Sequence, residues 1–325
     1  MLILNAEEID SILSCEECIP AIETAMKEIA TGVALNPLRQ FYPIGTNGGK
    51  LAIMPGHLPA SQFFGVKIVS KFPRKPGDPH GSHVGAVLVF DDEEGVPVAL
   101  LEGGALTAIR TAAASALATK LLARTNARVL TIMGTGEAAR RHAVALHHAR
   151  DFRDILIWGR TLRHAESLRQ DLTGLPCRVS VEESAEQAVR QADVVCTVTS
   201  AEDPILLGQW LKPGTHVNLV GAASANAAEI DSFGVKNALY FVDHRESAQT
   251  QAGELLRAIE AKLVGIDHIA GEIGRVASGN IDGRCSNSEI TIYKSLGISA
   301  QDMAAARVIV DKAMASPERY SDYSW

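Results

Sequence analysis

The stretch Val129-Leu130-Thr131-Ile132-Met133-Gly134-Thr135-Gly136-Glu137-Ala138-Ala139 decides how this chain is to be read. Val129–Met133 is a near-continuous apolar run, as expected for a parallel strand buried on both faces. Gly134 allows a tight turn, and Gly136 lets the backbone approach a pyrophosphate with no Cβ in the way. Ala139 keeps the next helix close to the sheet. A helix over 138–149 then presents unpaired N–H groups and a partial positive charge to phosphates. Such a turn is a weak signal alone. Placed between strand and helix, it predicts a dinucleotide site formed by Gly134, Thr135, Gly136, Glu137 and Ala138.

Downstream the alternation continues. Strands are expected over 155–158, 178–181, 194–199 and 216–220, with helices over 162–172 and 184–191. Alternating β and α signals predict a doubly wound parallel sheet. The second strand ends Ile157-Trp158-Gly159-Arg160-Thr161, with no acid to hold a ribose 2′-hydroxyl. Arg160, helped by Thr161 and Arg163, is instead suited to a 2′-phosphate. NADP(H) is therefore the expected cofactor, with NAD(H) possible. Near the end of the chain an apolar run, Ile290-Thr291-Ile292-Tyr293, precedes a long helix over 300–315 with no strand after it. That helix is expected to return to the first half.

Upstream, residues 7–31 have helical spacing interrupted near Pro20, which predicts a short helix, a turn and a helix starting at Pro20. Apolar runs at 51–54, 64–69, 85–90 and 96–101 predict a mostly antiparallel or mixed sheet. Asp91-Asp92-Glu93-Glu94-Gly95 is the expected hairpin loop, and the Ala-rich stretch 104–123 a helix. The expected domains are 1–122 with 300–325, an α+β substrate and dimerisation domain, and 123–299, a Rossmann-type dinucleotide domain.

The chain has 325 residues, of which 46% are hydrophobic and 21% charged, enough for about two domains with large cores. A net charge of −7 without any basic run argues against nucleic acid as a partner. The N-terminus does not read as a secretion leader, and no apolar run is long enough to span a membrane. Five scattered cysteines suit free thiols in a reducing, cytoplasmic setting. Cys15 and Cys18 lack a second ligand pair for zinc and read as helix-face residues. His57, His80 and His83 read as loop or polar-network histidines, and His142, His147 and His148 as surface groups. The pair Arg140-Arg141 reads as a solvated helix face.

Three cations in the first half are candidate substrate ligands. Lys67 interrupts the apolar strand Phe64-Gly65-Val66-Lys67-Ile68-Val69, where burial without a task is costly. Arg110 sits among small residues, a good place for a carboxylate clamp. Arg39 follows Asn36-Pro37-Leu38. Each alone reads equally as a surface charge, and spacing cannot bring them together. Lys71 competes with Lys67, although its position after the strand suggests a solvated loop.

Taken in order, several segments resemble the ornithine cyclodeaminase/μ-crystallin family over essentially the full length. They are Ala52-Ile53-Met54-Pro55-Gly56-His57, Gly65-Val66-Lys67, Ala108-Ile109-Arg110-Thr111-Ala112-Ala113, Gly134-Thr135-Gly136, Ile157-Trp158-Gly159-Arg160-Thr161, Leu219-Val220-Gly221-Ala222 and Glu289-Ile290-Thr291-Ile292-Tyr293-Lys294-Ser295-Leu296-Gly297. The resemblance implies a homodimer. It makes Arg39 and Arg110 the ligands of a substrate α-carboxylate and Lys67 the active-site lysine. Thr111, Thr199, Gly221 and Ser295 complete the expected cofactor contacts, with Ser295 and Gly297 placed near the nicotinamide by the resemblance alone.

One departure narrows the expected activity. Cyclodeaminases of this family read G-D-C-P-G-K-T-E after the corresponding strand, with the aspartate serving cyclisation. Here Ala223 occupies the aspartate position and Ala227 the lysine position. Cyclising ornithine needs a base, which alanine cannot supply. The expectation is reduction of a small imino acid, a ketimine such as Δ1-pyrroline-2-carboxylate or Δ1-piperideine-2-carboxylate. An alanine-type amino-acid dehydrogenase is the alternative. Cyclodeamination and a non-catalytic, crystallin-like NADPH binder rank lower.

Overall fold

The computed structural model describes residues 1–46, 48–73, 84–316 and 320–322; His80 and His83 lie outside them. The chain divides into two compact units, 1–111 with 298–325, and 112–297.

The first unit begins with β1 (Leu2–Leu4), α1 (Ala6–Ile12) and α2 (Cys15–Thr31). It continues through β2 (Gln40–Ile44), β3 (Gly49–Leu58), β4 (Phe63–Lys71), β5 (Val84–Asp91) and β6 (Pro97–Glu102) into α3 (Gly103–Leu122). Helix α2 starts earlier than the sequence suggested. Ser14 and Glu17 cap each other: Ser14 Oγ accepts from the Glu17 N–H at 3.2 Å, and the Glu17 carboxylate accepts from the Ser14 N–H at 3.1 Å. Pro20 then lies inside the helix and costs it a single backbone bond, so the cap outweighs the breaker. Cys15 and Cys18 are both buried on this helix.

The loop 91–95 turns β5 into β6 as expected, with antiparallel pairing on either side. The β1–β6 pair is parallel. β2 escaped the sequence reading because all five of its residues are exposed and one is Pro43; proline is tolerated there because β2 is an edge strand.

The second unit takes up the rest of α3 and continues as an all-parallel sheet: β7 (Val129–Met133), β8 (Asp154–Trp158), β9 (Arg178–Val181), β10 (Val194–Thr197), β11 (His216–Leu219), β12 (Leu239–Val242), β13 (Ile269–Glu272) and β14 (Thr291–Lys294). Helices α4 (Glu137–Ala149), α5 (Leu162–Asp171), α6 (Ala185–Gln191), α7 (Ser232–Lys236), α8 (Arg245–Gln251), α9 (Gly253–Glu260) and α10 (Ile273–Ala277) lie between successive strands, except that β10 passes to β11 through a short 3-10 turn at Gly208–Trp210. The spatial order is β13-β12-β14-β11-β10-β7-β8-β9. Leu130, Ile132, Ile155 and Ile157 pack under α4 and α5, while Met133, Val195, Val217 and Tyr240 belong to a separate cluster with Leu255. Burial on both faces explains the near-continuous apolar strands.

The first unit is completed by α11 (Ser299–Met314) and β15 (Ser321–Asp322). α11 packs on α2, β3 and β4. Gly65 on β4 permits that approach: a Cβ there would come within 3.1 Å of Met303 Sδ and 2.3 Å of Leu88 O. The division between the units falls at Thr111/Ala112, inside α3, and not at 122/123 as read from sequence. One uninterrupted Ala-rich helix runs through it, so no linker marks the place.

Candidate active site

Strand alternation puts Phe63, Gly65, Lys67, Val69 and Lys71 on the face of β4 that α11 covers. Lys67 is therefore almost wholly enclosed, 1% exposed, as are Arg110 at 3% and Asp302 at 0%. Lys67 Nζ donates to Thr107 Oγ1 and lies 3.3 Å from Asp302 Oδ1. Arg110 Nε donates to the same oxygen at 2.9 Å, and its Nη1 donates to Gln301 Oε1 at 2.7 Å. Burial lowers the Lys67 pKa from 10.5 to about 8; Asp302 opposes that fall, while Arg110 and Arg39 add to it.

Arg39, half-buried just ahead of β2, is close enough to depress both Lys67 and Lys71. The structure thus gathers Arg39, Lys67 and Arg110 in one unit. Lys71 is not on a solvated loop. It is the last residue of β4, half-buried, and its pKa is lowered by burial first and then by Arg39 and Lys50. Thr107, Gln301 and Asp302 were not found from sequence. The available signal was an acid and an amide inside the otherwise small, apolar start of α11.

In the second unit the candidate cofactor residues lie at the carboxyl ends of the strands. The chain steps from β7 outward to β8 and β9, then reverses to β10, so the switch point lies between β7 and β10. Gly134 has φ +135°, and a Cβ there would lie 2.7 Å from Val198 O at the end of β10. No other residue suits that turn. Gly136 is the N-cap of α4 and makes no side-chain cap, and it is exposed together with Glu137 and Ala138, with Thr135 half-buried beside them. Arg160 and Thr161 are exposed at the end of β8. Thr111, half-buried, is the last residue of the first unit.

Thr199 and Gly221 are joined by a residue the sequence reading passed over. The buried carboxylate of Glu229 accepts from Thr199 N–H at 2.8 Å, Thr199 Oγ1 at 2.7 Å, Thr197 Oγ1 at 2.8 Å and Gly221 N–H at 2.7 Å. This is why β10 stops at Thr197 and not at 199: the Thr199 N–H leaves the ladder for Glu229. Ser295 is buried directly after β14, and its N–H donates to Leu219 O at 3.0 Å. Gly297 and Leu296 donate their N–H groups to Asp243 Oδ2, each at 2.7 Å. Lys294 pairs with Glu254 at 2.8 Å, both fully enclosed, and also donates to Ala222 O.

Two further expectations are corrected. His142 is a buried residue and not a surface one; its ring bridges Ala138 O at 2.7 Å and Ser115 Oγ at 3.1 Å, and burial lowers its pKa to about 4. Arg140 and Arg141 are not a free solvated pair, since both clasp Glu137, at 2.7 and 2.6 Å. His57 fits its polar-network reading, with Nε2 3.1 Å from Asp92 Oδ2.

The family model of ornithine cyclodeaminase/mu-crystallin proteins matches residues 1–317. The chain belongs to that family. It is 36% identical over 312 residues to the ketimine reductase mu-crystallin of Mus musculus, covering 95% of this chain and 96% of that one. Among solved structures, the Δ1-pyrroline-2-carboxylate reductase of Thermococcus litoralis in complex with NADH and L-proline superposes with a TM-score of 0.95 at 30% identity, covering 99% of this chain and 100% of that one. An archaeal alanine dehydrogenase dimer with bound NAD superposes at 0.93 with 31% identity, covering 100% and 99%.

Proposed function

We propose that this chain is a nicotinamide-dependent reductase of small α-imino acids, cyclic ketimines such as Δ1-pyrroline-2-carboxylate or Δ1-piperideine-2-carboxylate, which it converts to the amino acids. The observation that carries the reading is the enclosed convergence of Lys67 and Arg110 in a chain that has Ala223 where the family's cyclodeaminases have aspartate.

The residues fit a dinucleotide. The Gly134 turn leaves no room for a side chain, Gly136 and the start of α4 are open, and no side chain caps that helix. Gly134, Thr135, Gly136, Glu137 and Ala138 would hold the pyrophosphate region, with Thr111, Thr199, Gly221 and Ser295 as further contacts. A bound reduced nicotinamide supplies hydride to the imine carbon. Arg160, with Thr161 beside it and no acid at the end of β8, supports a preference for NADP(H) over NAD(H).

In the first unit, Arg39 and Arg110 hold the substrate carboxylate. Arg110 donates Nε to Asp302 and Nη1 to Gln301, and its other N–H groups are assigned to the substrate carboxylate. Lys67 gives its proton to the imine nitrogen as hydride reaches carbon. A pKa near 8 suits a general acid working around neutral pH. Enclosure strengthens each of these interactions. An alanine-type dehydrogenase is the second reading, favoured by the 31% identity to the archaeal alanine dehydrogenase. It would use the same clamp but must also form the imine from keto acid and ammonia.

The outer face of the first sheet supports a homodimer. Phe64, at 37% exposure, and Ile68, at 42%, stand on the side of β4 away from α11, and Phe64 stacks on Phe90 at 5.1 Å. Leu51, Ile53, Val66 and Leu88 extend that half-covered apolar face, and a second copy of the chain is its proposed cover. None of the five cysteines forms a disulfide, which supports a reducing, cytoplasmic compartment. Assaying NADPH and NADH oxidation with cyclic ketimines, and separately with pyruvate plus ammonia, tests the assignment.

A further inference from the structure

We propose that Asp302 is a positioning residue for imine reduction: one enclosed carboxylate oxygen holds Lys67 in its ammonium form and fixes Arg110 for the substrate carboxylate. The inference rests on the reductase reading above and extends it to a residue outside the sequence-derived site.

Three observations converge on it. Asp302 Oδ1 takes both cations, at 3.3 Å from Lys67 and 2.9 Å from Arg110. Gln301, the preceding residue on α11, takes another N–H of the same guanidinium at 2.7 Å. A single turn of α11 therefore sets the tilt of Arg110 and the reach of Lys67 together. Finally, Asp302 Oδ2 is enclosed and meets no hydrogen-bond donor among the described residues. A carboxylate kept only as a helix N-terminal charge would stay near solvent; this one is spent on two buried cations.

The charges facing Lys67 come from several elements. Asp302 comes from α11, Arg110 from α3 and Arg39 from ahead of β2, while Lys71 shares its strand face and lies near Arg39. Cys15 and Cys18 on α2 complete the group, Cys18 close to both Arg110 and Asp302, with burial pushing its thiol up and keeping it neutral. Among these described groups Asp302 is the only anion. When Lys67 passes its proton to the imine nitrogen, that N–H bond breaks as the new one forms, and Lys67 is left as a neutral amine. Arg110 keeps its 2.9 Å bond to Asp302 throughout, so the clamp persists, and the same carboxylate favours return of a proton to Lys67.

The test is the pH profile of kcat/KM for Δ1-pyrroline-2-carboxylate reduction by the full-length enzyme and by Asp302→Asn. Loss of the anion makes the Lys67 ammonium harder to keep. The limb on which activity falls with rising pH is expected to move down by at least about one unit, the scale of losing an adjacent opposite charge. KM for the imino acid is expected to rise about tenfold. An unmoved limb with unchanged KM in a variant that still binds NADPH would overturn the proposal.

Titration of the Lys67 13Cε resonance in lysine-labelled protein, assigned with Lys67→Arg, reads the same shift without turnover. If the wild type reduces no imine, the reductase reading fails while this titration still decides the role of Asp302. Should Asp302→Asn not fold, Asp302→Glu keeps the charge but displaces it. KM is then expected to rise with the limb in place, and wild-type values for both would equally overturn the proposal.

Discussion

Arg110 Nε lies 2.9 Å from Asp302 Oδ1, although 192 residues separate them in sequence. The contact closes the first unit: the start of α3 meets the start of α11 over Lys67 of β4. Burying two cations is costly unless their partners are fixed. The structure meets that requirement with one carboxylate, one amide and Thr107. Such an arrangement is expensive as mere scaffolding and useful for recognising a small anion.

Removing either cation should cost catalysis. Lys67→Met or Arg110→Ala is expected to lower kcat/KM for ketimine reduction at least about a hundredfold, the scale of losing a general acid or a charged hydrogen bond. Steady-state kinetics at saturating cofactor checks this, with NADPH binding as the control for folding. Wild-type rates in both variants would remove the site assignment.

The pH dependence has a fixed sign. Burial holds Lys67 near 8, and only its protonated form can donate. Imine reduction should be level below that value and fall about tenfold per unit above it. Synthesis from a keto acid and ammonia consumes free NH3, so its rate should climb over the same interval. Initial rates with the two substrate sets between pH 6 and 10 separate the two readings.

Arg160 governs the cofactor prediction. Arg160→Ala should weaken NADPH about tenfold or more, as expected for losing a charge-assisted hydrogen bond to phosphate, and leave NADH within about twofold. Fluorescence titration of both cofactors measures it. Equal weakening of both would mean that Arg160 does not read the 2′-phosphate.

The outer face of the first sheet gives a stability-neutral test of assembly. Ile68 is 42% exposed. Ile68→Asp should leave the fold intact and convert a dimer to monomer in sedimentation equilibrium, because a charge buried against an apolar face is unpaired. A dimer of unchanged strength would place the interface elsewhere.

The second unit was largely legible because its strands are buried on both faces and its turns are punctuated; the places of Gly134 after β7 and of Arg160 after β8 could be read from order alone. The β-rich half showed its four long strands, but not β2, whose exposed residues and Pro43 carry no apolar pattern. The division inside α3 left no trace either, since a continuous Ala-rich helix has no linker composition. In the site, Lys67 and Arg110 stood out as charges in apolar text. Asp302 and Glu229 did not, because an acid near a helix start or in a polar loop looks like an ordinary solvated residue. Only the long-range contacts give them meaning: Asp302 through β4 and α3, and Glu229 through the ends of β10 and β11.

The measurement closest to the central claim is NADPH oxidation by the purified chain at neutral pH with Δ1-pyrroline-2-carboxylate and Δ1-piperideine-2-carboxylate, beside pyruvate plus ammonia and L-ornithine. Rapid turnover of at least one cyclic ketimine is expected, with a kcat/KM at least about a hundredfold above that for pyruvate with ammonia, and no conversion of ornithine. Efficient turnover of pyruvate with ammonia while both ketimines stay inert, or release of ammonia from ornithine, would contradict it.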